Sequence, residues 1–188
     1  MAAKPRLLTD SRDMVWSLVP LIIICAIIAV VSGNCSVGLS GTAKDDKTPA
    51  YDVSAALHAD ATSMSFPIRL PATPAGWKPN SGSSDAMDDG RVSNSGYLTA
   101  DGIYIQLSQT SASEESLVTY LGGTGVIGDG VTQAGGTQWV RYSADDNKSI
   151  WISNLGDVRI GLYGKASESD FRTLAQAVLA AKPLPARA

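Results

Sequence analysis

The sequence predicts an α+β domain behind one N-terminal transmembrane helix, its antiparallel sheet of about five or six strands packed by a C-terminal helix. Three observations predict it. Residues 14–32 carry no charge. Between residues 92 and 164, several short runs alternate apolar and polar side chains and are separated by tight turns, the pattern of neighbouring antiparallel strands. Near the end, Phe171, Leu174, Ala175, Val178 and Leu179 fall at i, i+3, i+4, i+7 and i+8, one apolar stripe of a helix.

The span comes first in the chain. Met14 to Ser32 as a helix reaches ~28 Å, close to the ~30 Å of bilayer hydrocarbon. A secretory apolar core is usually only ~7–15 residues long. Trp16 lies near one end, where an indole suits the membrane interface, and Pro20 sits near the helix start, where a missing N–H costs least. A lipoprotein signal would place a small residue directly before its cysteine, and here Asn34 precedes Cys35. Cleavage after Val30-Val31-Ser32 is the remaining alternative to a retained anchor. Lys4, Arg6 and Arg12 flank the front of the span, and no basic residue follows until Lys44. The positive-inside rule therefore expects residues 1–13 in the cytoplasm of a single-pass plasma-membrane protein and the C-terminal domain outside.

Residues 33–50 are small and polar without periodicity, and read as a flexible linker. Cys35 emerges just beyond the span. It is either a candidate for an intermolecular disulfide in an oxidising compartment or an unpaired small residue at a helix end. The domain proper is expected over 51–183, with a tail at 184–188. Asp52 caps a short helix with Val53, Ala56 and Leu57 on one face. Pro67, Pro71, Pro74 and Pro79 then exclude helix and a central strand, so this segment is expected to be extended and at a sheet edge. Phe66, Ile68 and Leu70 alternate within it, leaving one side toward a core, and Ser83 to Arg91 reads as a polar loop.

Strands are expected at 92–99 and 103–108, joined by a turn at Ala100-Asp101-Gly102. Ser113 caps a helix opened by Glu114 and Glu115, with Leu117, Tyr120 and Leu121 toward the core and Gly122-Gly123 as its stop. Three more strands follow at 137–143, 149–154 and 157–164. Ser167 with Asp170 has the form of a capping box for the last helix, which Pro183 ends and which should close the core.

Composition narrows the chemistry. The chain of 188 residues has a net charge of −3, and from Lys44 on it holds 12 basic against 16 acidic residues. That balance argues against nucleic acid, whose phosphates require a basic patch. Both cysteines precede Lys44, so the domain cannot build a thiolate metal site. The one histidine, His58, stands between Leu57 and Ala59 without the partners of a triad. SDAMDDG at 84–90 lacks an oxygen ligand at Met87 and a late Glu, so it does not form a calcium loop of the EF-hand type. No catalytic, cofactor-binding or metal-ligating residue is therefore expected, and no cofactor.

Trp139 and Trp151 are expected to pack the sheet. Trp77, between Pro74 and Pro79, is the best candidate for binding a partner, because a stiff, edge-exposed backbone can receive a strand or peptide.

The order of these pieces carries a resemblance. A basic tip, one span, FPIRLPATPAGWKPNS, GYLTADGIYIQLSQ, a small Glu-opened helix, GGTQWVRY and GKASESDFRTLAQAV follow one another. The chain resembles actinobacterial single-span membrane proteins whose extracytoplasmic domain is an uncharacterised domain of unknown function. That family assigns no catalytic residues. The resemblance implies a membrane-tethered domain of the cell envelope. Two roles are compatible: an interaction module bound to a membrane-protein partner, for instance as accessory subunit of a membrane complex, or a lipid or small-ligand carrier with an apolar cavity between sheet and last helix.

Overall fold

The computed structural model describes Trp16, residues 18–25 and residues 51–184. The chain divides into two units, residues 1–48 and residues 49–188. In the first, Trp16 and residues 18–25 are helical with exposed side chains. Among the described residues no helix is long and apolar enough to cross a membrane. Most of the expected span, the linker and Cys35 lie outside the described residues.

The second unit is α+β, built on one seven-stranded antiparallel sheet. Its strands are β1 (Lys78–Met87), β2 (Gly90–Leu98), β3 (Tyr104–Thr110), β4 (Ile127–Ala134), β5 (Thr137–Ala144), β6 (Lys148–Leu155) and β7 (Val158–Gly164). The helices are α1 (Val53–Ser63), α2 (Glu114–Gly122) and α3 (Glu168–Ala180). The spatial order is β1-β2-β3-β7-β6-β5-β4. A three-strand meander is thus followed by α2 and a four-strand meander that returns β7 to the side of β3.

Local chemistry explains the elements. Asp52 accepts from the Ala55 N–H at 3.0 Å and opens α1. Ser113 caps α2 through the Ser116 N–H, and Gly123 ends it at φ +74°, a conformation that favours glycine. At α3, Ser167 and Asp170 form the full reciprocal capping box. The β2–β3 turn closes through Thr99, whose N–H donates to the Ile103 carbonyl at 2.9 Å, with Gly102 at φ +76°.

Each face of the sheet carries its own core. On one face α1 and α3 bury Leu57, Ile68, Tyr97, Leu107, Trp139, Trp151, Ile160, Phe171, Leu174 and Val178. The rings of Trp139 and Trp151 sit 6.4 Å apart, and those of Trp151 and Phe171 5.2 Å. The tryptophans of β5 and β6 therefore pack the sheet, and α3 closes the core as its stripe predicts. On the other face α2 lays Leu117 and Leu121 over Val92, Ile150 and Ile152.

Four expectations need correction. The sheet has seven strands, not five or six. Residues 83–87 belong to β1 rather than to a loop, and only the turn at Asp88-Asp89 separates β1 from β2. β4 was not expected at all: it carries two glycines and exposes nearly every side chain. Tyr120 is 37% exposed and turns its hydroxyl to polar partners instead of the core. Both unexpected strand segments are sheet edges, where backbone pairing with one neighbour suffices and an apolar pattern is not needed.

The Pro-rich segment is extended, with Phe66 and Ile68 buried. Only its end enters the sheet. Its beginning is tied to the C-terminus by a bridge between Arg69 and Pro183 and by the Leu184 N–H donating to the Ile68 carbonyl at 2.7 Å. Arg69 also donates to the carbonyls of Leu179 and Ala181 at 3.3 and 2.6 Å, capping α3 from outside.

Candidate functional site

β1 and its approach come first, because the expected binding residues lie there. Gly76 at φ +79° turns the chain, and the Trp77 N–H donates to the Pro74 carbonyl at 3.0 Å. Trp77 is half-buried, one side packed on the main core, and Pro74 and Pro79 are half-buried as well. Pro79 pairs with Tyr97 in β2, and the register then slips so that Asn80 stands exposed without a partner in β2. β1 is the outermost strand on this side, so its outer row of backbone groups has no strand partner among the described residues. The three residues thus lie together at the start of an open edge. His58 is exposed on α1.

A second cluster, not singled out by the sequence, occupies the α2 side of β1, β2 and β3. Its centre is Asn94, 7% exposed in mid-β2. The Asn94 amide donates to Tyr120 Oη at 2.7 Å, to Asp85 Oδ2 at 3.0 Å and to Ser83 Oγ at 3.2 Å, three acceptors sharing two hydrogens. Its carbonyl accepts from Ser108 Oγ at 2.6 Å and from Gln106 Nε2 at 3.1 Å. The Tyr120 hydroxyl donates to Asp85 Oδ2 at 2.7 Å, reaching from α2 to β1. Tyr104 lies over Gly96, where a Cβ would come within 2.5 Å of its ring, and its hydroxyl donates to Gln106 Oε1 at 3.4 Å.

Electrostatics follow from these contacts. Hydrogen bonds from Tyr120, then from Ser83, hold the Asp85 carboxyl below its usual range. Burial, then the bond to Asp85, pushes the Tyr120 hydroxyl up to about 12. At neutral pH the cluster is a neutral hydroxyl–amide lattice with one carboxylate. It can present donors and acceptors to a ligand, and its groups bond each other rather than forming a nucleophile–base pair. Among the described residues no group of three or more His, Cys, Asp or Glu side chains could hold a metal ion.

The signal for this cluster was faint. Tyr104, Gln106 and Ser108 alternate with Ile105 and Leu107, and polar positions of that kind normally read as a solvent face. Only the polar run Ser93-Asn94-Ser95 inside a strand with Val92 and Tyr97 hints that polar groups are buried there.

Residues 6–178 match the family described as a protein of unknown function (DUF4245), and the chain belongs to it. No curated protein and no solved structure matches the chain.

Proposed function

We propose that this DUF4245 member is a non-enzymatic interaction module of an actinobacterial cell envelope. Residues 14–32 hold it in the plasma membrane as a single-pass protein, with the N-terminus cytoplasmic and the domain outside. Its partner is a membrane protein, which adds a strand or extended peptide along β1, with Trp77, Pro74 and Pro79 at the entry.

The observation that supports this reading is the edge itself. β1 is ten residues long, pairs with β2 alone, and begins directly after a half-buried tryptophan. Backbone groups along such an edge supply affinity, and a stiff flank lowers the ordering cost. The alternative, a carrier with a cavity beneath α3, meets Trp151, Phe171, Leu174 and Val178 at that place, all at most 3% exposed.

The test compares Trp77→Ala and His58→Ala in the tagged full chain, purified in mild detergent. Truncating a buried interface anchor commonly costs ~2 kcal/mol, about thirtyfold in affinity. Trp77→Ala should lose its partner by that factor while keeping the wild-type circular dichroism, and His58→Ala should keep it. An equal yield from both variants, or unfolding by Trp77→Ala, would remove the support for this edge.

A further inference from the structure

Beside the polar cluster, at the end of the sheet where β2 turns into β3 and β7 leaves for α3, lies a hollow of about 320 Å³. Gly102, Ile103, Tyr104, Tyr163 and Gly164 form its walls, and Lys148 and Lys165 complete the lining. Ile103, just before β3, and Tyr104, its first residue, are 43% and 37% exposed, whereas Ile105 and Leu107 of the same strand are buried. Gly164 brings the β7 backbone close to β3, since a Cβ there would lie 2.6 Å from the Tyr104 carbonyl oxygen. Its lining therefore combines backbone at Gly102 and Gly164 with the side chains of Ile103, Tyr104 and Tyr163.

The charge here runs against the domain. Residues 51–184 hold 14 acidic and nine basic residues, and only four of the latter are lysines. Two of those four line this one hollow. The Lys148 ammonium sits 5.5 Å from the centre of the Tyr163 ring, a cation–π distance. Its one carboxylate neighbour in ion-pair range among the described residues, Asp146, is 3.9 Å away and largely exposed, so water screens that pair. Lys165 is exposed. Among the described residues neither ammonium is engaged in a tight ion pair.

We propose that this hollow binds an amphipathic anion, its apolar or aromatic body against Tyr104, Tyr163 and Ile103 and its negative group held by Lys148 and Lys165. An apolar wall attracts the body by burial, and two ammonium groups at its border select a negative head over a neutral or positive one. The same chemistry fits the headgroup region of an anionic lipid and a free aryl or acyl acid. The site is independent of the β1 edge, and its failure would leave the partner reading untouched.

The test uses the full chain in nanodiscs of neutral phosphatidylcholine, with 2-naphthoate as probe and neutral 2-naphthamide as control. Naphthoate should shift the amide resonances of Gly102, Ile103, Gly164 and Lys165 in a saturable way. Lys148→Met with Lys165→Met should weaken it about tenfold or more, the scale of one charge-assisted hydrogen bond. Naphthamide should bind more weakly and be indifferent to the substitutions. If the double variant fails to fold, Lys165→Met alone, at an exposed position, carries the same comparison. A second arm replaces part of the phosphatidylcholine with phosphatidylglycerol. Movement of the same resonances without naphthoate identifies a lipid source, and their movement with naphthoate alone identifies a free acid. Resonances that stay still in both arms, shifts mapping elsewhere, or equal affinity in the variant would overturn the proposal.

Discussion

At the scale of single residues, Asp85 shows how the polar cluster couples to pH. Its carboxyl accepts from Tyr120, Ser83 and Asn94, and its folded value lies below the unfolded one. Such a group contributes stability above its unfolded value of about 3.9, and the contribution disappears as pH falls through the folded value. The carboxylate is close to water, so the effect is modest. Asp85→Asn should therefore lower the urea midpoint near neutral pH, and the gap from wild type should close below about pH 4. Urea unfolding across pH 2–7 checks this, and a gap that persists unchanged in acid would contradict it. Tyr120 titrates the other way: its raised value favours the folded state below about pH 10, and that share is lost as pH rises toward 12.

At the scale of elements, α3 decides whether the larger core exists. Leu174 is fully buried between Trp151, Phe171 and the rest of that core. Leu174→Ala should cost about 2–5 kcal/mol, the range for large-to-small changes at buried leucines. Equilibrium denaturation measures it, and a loss below about 0.5 kcal/mol would place the helix outside the core.

The same helix shows what the sequence makes legible. A stripe at helical spacing, a Ser–Asp capping box and a later proline act locally, so α3 can be read from its own residues. The alternating strands β3, β6 and β7 are legible for the same reason. β1 is not: its sequence KPNSGSSDAM has low strand propensity, and it forms because β2 pairs with it over nine residues. β4 likewise rests on β5, with a register slip between Gly128 and Val131. The cluster around Asn94 depends on Tyr120 of α2 meeting β1 and β2, a long-range contact that no periodicity encodes.

At the scale of the whole molecule, the proposed function joins a membrane anchor over residues 14–32 to a domain whose β1 edge receives the partner. The anchor rests on the uncharged run from Met14 to Ser32 and on Asn34 before Cys35. Carbonate washing of membranes should leave the protein in the pellet with its N-terminus intact. A mature N-terminus near Cys35, or lipid on Cys35, would contradict a retained span.

The central claim is that β1 receives the partner, and photocrosslinking addresses it most directly. Asn80 is exposed at the register slip in β1, and Val131, 62% exposed, stands on β4 at the opposite edge of the sheet. A photoreactive phenylalanine analogue is placed at each position in the full chain, and cells are irradiated before lysis. One discrete adduct is expected from Asn80 that disappears with Trp77→Ala, and no adduct of the same mass from Val131. The same adduct from Val131, or none from Asn80 in a folded, membrane-bound chain, would contradict it.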